Sequence, residues 1–414
     1  MKNTNTYTRH LLIRPAALCC AVLLLVSGLS SCSIDRTTDY DPGAPVIFRP
    51  LMDGMTRAVA VTSGNYETEL PSLTVHALRV GSGSNGADEV FFVDDFSFKG
   101  NLRDGGDTPY YESDVPYYWP KDDRRIYFYV YNTALGGTPA INSTADDASK
   151  ITGVTVPADA KLQEDMLVTR TYGTGQTNGA QGWNVTNGVE VRLRHALAQI
   201  KVQARSSNPN MQVEVVGVKL GGISMTADFK IPNTAEQSSL TGTIVRDRWE
   251  NWNTTKQACI YKHVDEVTAM QPALGSAVQG TLLTSTASDL LGGESFMVIP
   301  QQVADDAYIA VLCRISQSKG NAAGGGYVQL FPYGSVDTDS DGYAWTAIPI
   351  TPDWEPGHVY TYNLNFFEGT GGGGGYVAPG SGEDVGESVV SGPVKFFVEI
   401  NGWSDVAPST TVTF

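Results

Sequence analysis

Residues 46–58 read VIFRPLMDGMTRA and combine a strand pattern with a candidate cleavage point. Every second residue from 46 to 52 is apolar, and such alternation is typical of a β-strand with one buried face. Gly54 ends the pattern, and the Arg57–Ala58 bond follows among small and flexible residues, where a trypsin-like protease finds an accessible loop. The stretch therefore predicts a strand that proteolysis can separate from the body, with an inner face of Val46, Phe48, Pro50 and Met52.

Residues 1–31 have the features of an export signal. Three basic residues precede an apolar run at 15–29, which is too short to span a bilayer comfortably. The run leads into Leu29-Ser30-Ser31-Cys32, the pattern of a bacterial lipobox, in which the thiol receives the lipid. This pattern predicts a lipoprotein anchored through Cys32, and an ordinary signal peptide that ends at a cysteine is the alternative. Residues 33–45 are polar and predict an exposed tether, so that 32–57 comprise the tether and the removable strand.

The composition predicts an all-β protein. Short runs of Val, Thr and Tyr are separated by Gly, Asn, Asp and Ser, as in chains built from strands and turns. The net charge of −16 over 414 residues argues against binding to nucleic acid and to anionic membrane surfaces. Apart from the signal and Cys32, only Cys259 and Cys313 remain, and they form either a disulfide or two buried small apolar side chains.

Strand-like segments continue along the chain after residue 58 and predict β-sandwiches. The polar, proline-containing stretch at 206–210 is the best candidate boundary, with an N-terminal sandwich at 58–206 and a C-terminal one at 207–414. The apolar phase shifts at His195, which predicts a β-bulge or a sharp bend close to this residue. Residues 369–382 are rich in glycine and predict a flexible loop.

The end of the sequence also alternates. Residues 405–414 predict a strand with two distinct faces, and an unpaired edge of this kind invites a partner strand. The residues of one face are Val406, Pro408, Thr410, Val412 and Phe414.

No motif predicts catalysis or a cofactor. The histidines lack the spacing of zinc sites, and a G-x-S-x-G motif is absent from the sequence. Residues 337–342 read DTDSDG and resemble the opening of a calcium loop, but the twelfth position holds Ile348 and not an acid. Asp337, Asp339 and Asp341 are thus compatible with a hairpin turn or with a calcium site.

Aromatic residues of the second half suggest a different class of function. Aromatic rings stack on sugars when they are exposed, but they more often lie in cores and interfaces. On this second hypothesis the chain is a surface lipoprotein that binds glycans and does not polymerise. The candidate rings belong to Trp249, Trp252, Tyr343 and Trp345.

Several motifs occur in an order that resembles the fimbrillins of the Bacteroidetes type V pilus class. The resemblance covers nearly the whole chain. It is carried by the lipobox at Cys32, Val46-Ile47-Phe48 ahead of Thr56-Arg57-Ala58, Tyr118-Trp119-Pro120, HALAQI at 195–200, Ile299-Pro300-Gln301, Trp354-Glu355-Pro356-Gly357 with Tyr360, and the strand around Trp403.

The resemblance implies two tandem transthyretin-like β-sandwich domains and no enzymatic activity. It also implies an outer-membrane lipoprotein that an arginine-specific surface protease cuts between Arg57 and Ala58, which removes the first strand. The C-terminal strand of another fimbrial subunit, from about Asp405 to Phe414, then fills the groove, and the protein becomes part of a surface fimbrium. The glycine-rich loop and residues 249–270 do not match the general pattern, so stalk, tip and accessory positions all remain open.

Overall fold

The chain consists almost entirely of β-strands, which confirms the all-β prediction. In the computed structural model, α1 is a single turn at Tyr66–Glu69, and 3-10 helices span Ala160–Leu162 and Arg246–Arg248. None of the described helices has the length and apolar character that crossing a membrane requires. The described residues are 40–52, 66–81, 83, 86–101, 109–122, 124–132, 136–145, 147–175, 188–232, 244–263, 280–303, 305–320, 326–332, 342–377, 390, 392, 394–402 and 410–413.

The strands fall into two groups along the chain. The first group is β1 (Tyr40–Pro45), β2 (Phe48–Met52), β3 (Ser72–Arg79), β4 (Glu89–Asn101), β5 (Pro109–Ser113), β6 (Tyr118–Pro120), β7 (Arg125–Tyr131), β8 (Thr138–Ala140), β9 (Lys150–Thr155), β10 (Leu167–Thr174) and β11 (Val189–His195). The second group is β12 (Ala198–Ser206), β13 (Met211–Ile223), β14 (Thr226–Lys230), β15 (Trp249–Glu250), β16 (Gln257–Lys262), β17 (Thr281–Leu282), β18 (Ser288–Asp289), β19 (Phe296–Val298), β20 (Tyr308–Ser318), β21 (Tyr327–Phe331), β22 (Ala344–Pro349), β23 (His358–Phe366), β24 (Gly375–Val377), β25 (Lys395–Gly402) and β26 (Thr410–Thr413).

Seven strands of the first group form one closed sheet. Their order is β10–β11–β2–β5–β4–β3–β7, and β7 pairs with β10 to close the ring. Successive side chains of a strand point to opposite faces, so every second residue points into the ring. In β7 these inward residues are Ile126, Phe128 and Val130, and all three are fully buried. Strand β2 lies in this ring between β11 and β5.

Two sheets enclose the core of the C-terminal half. One has the order β18–β12–β23–β25–β26, with β19 on β12. The other has the order β16–β13–β20–β22–β24, with β17 on β13 and β21 on β20. Side chains from both sheets share one core cluster, among them Ile200 and Val202 of β12 and Ile309 and Val311 of β20. This arrangement is that of a β-sandwich.

The strand pairing does not divide the chain at the predicted boundary of 206 and 207. Strand β12 precedes that boundary, yet it pairs in parallel with β23 from Gln199 to Ser206 and so belongs to a C-terminal sheet. A four-stranded sheet, β15–β14–β9–β8, joins the two halves through the pairing of β9 with β14. The polar stretch at 206–210 is the turn between β12 and β13, because turn residues end a strand whether or not a domain ends with it.

The phase shift at His195 marks a change of sheet. Of the two predicted alternatives, the bend is present at Leu197, and a bulge within one strand is not. Strand β11 ends at His195 in the closed sheet, and β12 begins at Ala198 in a C-terminal sheet. Between them Ala196 is buried, and its amide donates a hydrogen bond to the carbonyl of Met166 (2.8 Å). Because each strand packs on its own core, the two alternations are independent.

Part of the glycine-rich segment is buried, so the predicted flexible loop is wrong for residues 371–377. Residues 371–375 are buried, and β24 pairs with β22. A Cβ on Gly372 would lie 2.2 Å from the carbonyl oxygen of Val390, and one on Gly374 would lie 2.3 Å from Oγ1 of Thr346. Backbone packs closely on its neighbours here, and only glycine permits that approach.

The two remaining cysteines are both free and buried. Cys259 lies in β16 and Cys313 in β20. Burial raises the pKa of the Cys259 thiol to about 12, and burial also raises the pKa of Cys313. Both thiols therefore stay protonated and act as small apolar side chains, which decides between the two alternatives left by the sequence.

The close packing of Gly374 predicts a destabilising substitution. We expect Gly374→Ala to lower the free energy of unfolding by roughly 1–3 kcal/mol more than Gly293→Ala does, because the added methyl group overpacks a buried site. Gly293 is the matched control, since its φ of +93° is close to the +95° of Gly374 and a Cβ there meets nothing within 4 Å. Urea denaturation of both variants measures the difference, and equal losses would show that the contact with Thr346 is unimportant.

Candidate functional site

Strand β2 completes the closed sheet although it precedes the predicted cleavage bond. It runs parallel to β11, starting with Phe48 opposite Val189, and it pairs antiparallel with β5 at Phe48. The amide of Val189 also donates to the carbonyl of Ile47 (2.7 Å). Pro50 has no amide hydrogen, which agrees with the short pairing on the β5 side. We call the place of β2 between β11 and β5, together with the pocket around Phe48, the β2 slot.

Side chains of β2 and of the residues directly before it are buried. Val46, Ile47 and Phe48 are 1%, 2% and 0% exposed, and Val46 and Phe48 belong to the core cluster of the closed sheet. The ring of Phe48 meets those of Phe96 and Phe128 edge to face, with centroids 4.8 and 5.1 Å away. Edge-to-face pairs add to the stability that burial itself provides. Pro50 is buried as well, and the side chain of Met52 lies outside the described part of the chain.

Gly188 allows β2 to approach β11 closely, and sequence reasoning missed it. A Cβ on Gly188 would lie 3.1 Å from both the carbonyl oxygen and Cγ1 of Ile47. On the face of β2 that points away from Phe48, Arg49 forms an ion pair with Glu190 (3.2 Å), and Arg192 contacts the same carboxylate (2.9 Å). These half-exposed pairs contribute little stability. A single glycine among 44 carries no signal in the sequence, so only the fold reveals this role.

The segment ahead of β2 is also paired, so the predicted exposed tether is wrong for residues 40–45. Strand β1 runs antiparallel to β6, with Pro45 opposite Tyr118. The amide of Val46 donates to the carbonyl of Tyr117 (2.7 Å). No pattern in the sequence indicates this strand, because backbone pairing at an edge requires no apolar side chains. Strands β1 and β2 therefore form one continuous segment that contacts β6, β11 and β5.

The predicted processing site falls in the connection between β2 and α1. Strand β2 ends at residue 52 and α1 begins at residue 66. Leu70, directly after α1, is buried, and Tyr111 of β5 donates its hydroxyl to the carbonyl of Leu70 (2.6 Å). The chain downstream of the connection is thus held independently of β2. The residues of the predicted processing events lie outside the described part of the chain: Cys32, Arg57 and Ala58.

The predicted donor strand lies on its own subunit. Strand β26 pairs antiparallel with β25, with Val412 opposite Val398 and Thr410 opposite Ile400, and it is the last strand in the order of its sheet. A cavity of about 250 Å³ lies beside β25, lined in part by Tyr360 and Tyr362. The structure describes only the backbone of residues 410–413, and these predicted donor residues lie outside the described part altogether: Val406, Pro408 and Phe414.

The aromatic residues of the glycan hypothesis do not form an exposed platform, so that prediction is wrong. Trp249 is 1% exposed, and its indole donates to the carbonyl of Ala196 (2.9 Å). Tyr343 and Trp345 are 1% and 7% exposed. Trp252 is 37% exposed. Sugar stacking requires several accessible rings in one surface, whereas three of these four rings are core residues.

The described residues include no group of three or more histidine, cysteine, aspartate and glutamate side chains arranged to hold a metal ion. The candidate calcium ligands Asp337, Asp339 and Asp341 lie outside the described ranges. For these three residues the hairpin turn and the calcium site both stay predictions.

Several solved structures are similar to this chain. A fimbrial assembly protein from Parabacteroides distasonis is 11% identical, with a TM-score of 0.38 over 89% of this chain and 98% of that one. A candidate cell adhesion protein from the same organism is 11% identical, with a TM-score of 0.42 over 88% and 99%. A candidate cell adhesion protein from Bacteroides ovatus is 12% identical, with a TM-score of 0.40 over 79% and 92%.

Comparison of the sequence with curated proteins found no match. The family comparison gave a clear result, because the model of one family matches residues 56–378, which is most of the chain. That family is described as fimbrillin-like, and its members are structural, non-enzymatic proteins. The chain therefore belongs to the fimbrillin-like family.

Proposed function

We propose that this protein is a subunit of a cell-surface fimbria that polymerises by strand exchange. Family membership supports a fimbrial or adhesive protein at the cell surface. In the proposed mechanism an arginine-specific surface protease cuts Arg57–Ala58, strands β1 and β2 depart, and the C-terminal strand of another subunit enters the β2 slot. The main observation in support of this proposal is that β2, which precedes the predicted cleavage bond, contributes the buried Phe48 to the closed sheet.

Loss of β2 leaves the closed sheet unstable, and this provides the driving force. The large apolar side chains of the segment contribute roughly 1.5–3 kcal/mol each through burial. The backbone groups of β11 that pair with β2 also lose their partners, and unpaired groups in a buried sheet are costly. A replacement strand restores both contributions. Cleavage is the trigger, because the slot is occupied until the Arg57–Ala58 bond is cut.

The C-terminal strand is a suitable donor, because little holds it in place. Strand β26 spans four residues and pairs only with β25 within the described part of the chain. Strand β2, by contrast, is bordered by β11 and β5 and continues from the paired strand β1. An edge strand with one partner dissociates more readily than a strand within a closed sheet.

We also propose that the lipid on Cys32 holds the precursor at the outer membrane before assembly. Several acyl chains on one cysteine are enough for stable anchoring without a transmembrane helix. Because Cys32 precedes the cleavage bond, the cut at Arg57 removes the covalent link between the folded body and its anchor, and the departure of β1 and β2 then separates the two. Anchored precursor and assembled subunit then differ in both location and N-terminus.

Substitution of Arg57 tests the trigger directly. We expect Arg57→Ala and Arg57→Lys to yield lipidated monomers that begin at acylated Cys32, whereas the wild-type protein begins at Ala58 and forms polymers. Arg57→Lys keeps the charge but removes the arginine, and Arg124→Ala controls for the loss of an exposed arginine elsewhere. N-terminal sequencing and unheated denaturing gels supply the readout. Normal polymers of Arg57→Ala that retain Cys32 would refute the proposal.

Stability before and after cleavage tests whether β2 is really replaced. We expect Phe48→Ala to lower the free energy of unfolding of the uncut precursor by about 3–5 kcal/mol, as large-to-small core changes do. The same substitution should leave the assembled subunit unchanged, since Phe48 has departed. Phe128→Ala is the matched control, because it removes a ring from the same core cluster in both forms. If Phe48→Ala destabilises the assembled subunit too, β2 stays in place.

Truncation of the tail separates the donor from the acceptor role. A chain that ends at Ser409 should be cleaved normally and accept a strand, but it should not donate one. Added to wild-type subunits, it should shorten the polymers in proportion to its concentration, as a chain terminator does. Polymer ladders formed by the truncated protein alone, visible on unheated denaturing gels, would contradict the assignment of the donor strand.

A further inference from the structure

We propose that the incoming strand comes from a second copy of this chain and enters in one register, with Val412 and Phe414 at the positions of Val46 and Phe48. This inference rests on the proposed strand exchange and specifies its partner. It predicts a homopolymer whose central contact is the burial of Phe414 between two phenylalanine rings.

The first argument is a repeated sequence pattern. The segment Val46-Ile47-Phe48 is matched near the other end of the chain by Val412-Thr413-Phe414. Both segments place valine and phenylalanine two residues apart, so both side chains lie on one face of a strand. The residue between them is β-branched in both cases. In the first segment this residue is Ile47, whose Cγ1 lies against the site of Gly188.

The second argument is the length of strand that the register covers. With Phe414 at the position of Phe48, Val406 falls at the position of Tyr40, where β1 begins. Residues 406–414 then extend from the first residue of β1 to the first residue of β2. The donor can therefore pair with β6 in the place of β1, and its last residue meets both β11 and β5 at the position of Phe48.

Other registers fit the β2 slot less well. A shift by one residue would turn every side chain to the opposite face. A shift by two residues would place Val412 at the position of Phe48, against Phe96 and Phe128, and a valine leaves part of an aromatic pocket empty. Phe414 is the one aromatic residue in the segment from Asp405 onward. Only one register therefore fills the pocket with a ring.

The charges around the slot agree with this donor. Departure of β2 removes Arg49 from Glu190, but Arg192 still contacts the same carboxylate at 2.9 Å. The slot thus retains a counter-ion for Glu190 and does not require a cation from the incoming strand. Residues 405–414 contain no lysine or arginine.

Peptide capping of the cleaved, full-length subunit tests the register. Peptides of residues 405–414 are added to protein cut at Arg57, and capped subunit is quantified on unheated denaturing gels and by the loss of polymer. The variants are Phe414→Ala, Thr411→Ala as an outward-facing control, and the double substitution Val412→Phe with Phe414→Val. A peptide of residues 40–52 is the positive control, since it restores the original strand.

We expect the native 405–414 peptide and the 40–52 peptide to cap the subunit. Phe414→Ala should reduce capping affinity by about a hundredfold or more, whereas Thr411→Ala should change it by less than about fivefold. The double substitution keeps the composition but moves the ring by two residues, so it should bind as poorly as Phe414→Ala.

Two results would overturn the register: equal capping by native and Phe414→Ala peptides, or strong capping by the double substitution. Capping by the 40–52 peptide but not by 405–414 would overturn the second copy as partner and leave the proposed strand exchange intact. If neither peptide caps the cut subunit and it does not polymerise, the proposed function fails together with this inference.

Discussion

Phe48 packs between Phe96 and Phe128, and the N-terminal half of the protein depends on this contact. Its side chain is 0% exposed, and its backbone lies next to both β11 and β5. Loss of a strand from a closed sheet exposes two neighbouring edges and an apolar pocket at the same time. The stability of the N-terminal half therefore depends on a strand in the β2 slot, and the proposed exchange changes only the origin of that strand.

The connection between β2 and α1 makes such a change possible. The body downstream of it is fixed by its own contacts, among them the hydrogen bond from Tyr111 to the carbonyl of Leu70. A cut in the connection thus leaves β1 and β2 attached only by noncovalent contacts. Those contacts are extensive but local, since they involve β6, β11 and β5. The same contacts are available to any strand of similar pattern, so in the proposed exchange one slot serves both the precursor and the assembled form.

The sequence predicted the β2 slot better than it predicted its surroundings. Val46 and Phe48 could be identified because a half-buried strand leaves a period of two in the sequence. Strand β1 could not, because its pairing uses backbone groups that every residue carries. The position of β12 in a C-terminal sheet could not be predicted either, because its parallel partner β23 is more than 150 residues away in the sequence. The role of Gly188 and the burial of Trp249 depend on which strands become neighbours, and local pattern contains no information about that.

The two strands of the proposed exchange differ in what their departure costs, and this difference gives assembly a direction. When β26 leaves, β25 becomes the outer strand of its sheet. Only four residue pairs are lost in that step. When the same tail enters the β2 slot, it gains strands on both sides and a pocket for an aromatic ring. Burial of that ring in the β2 slot therefore favours the assembled form in the proposed exchange.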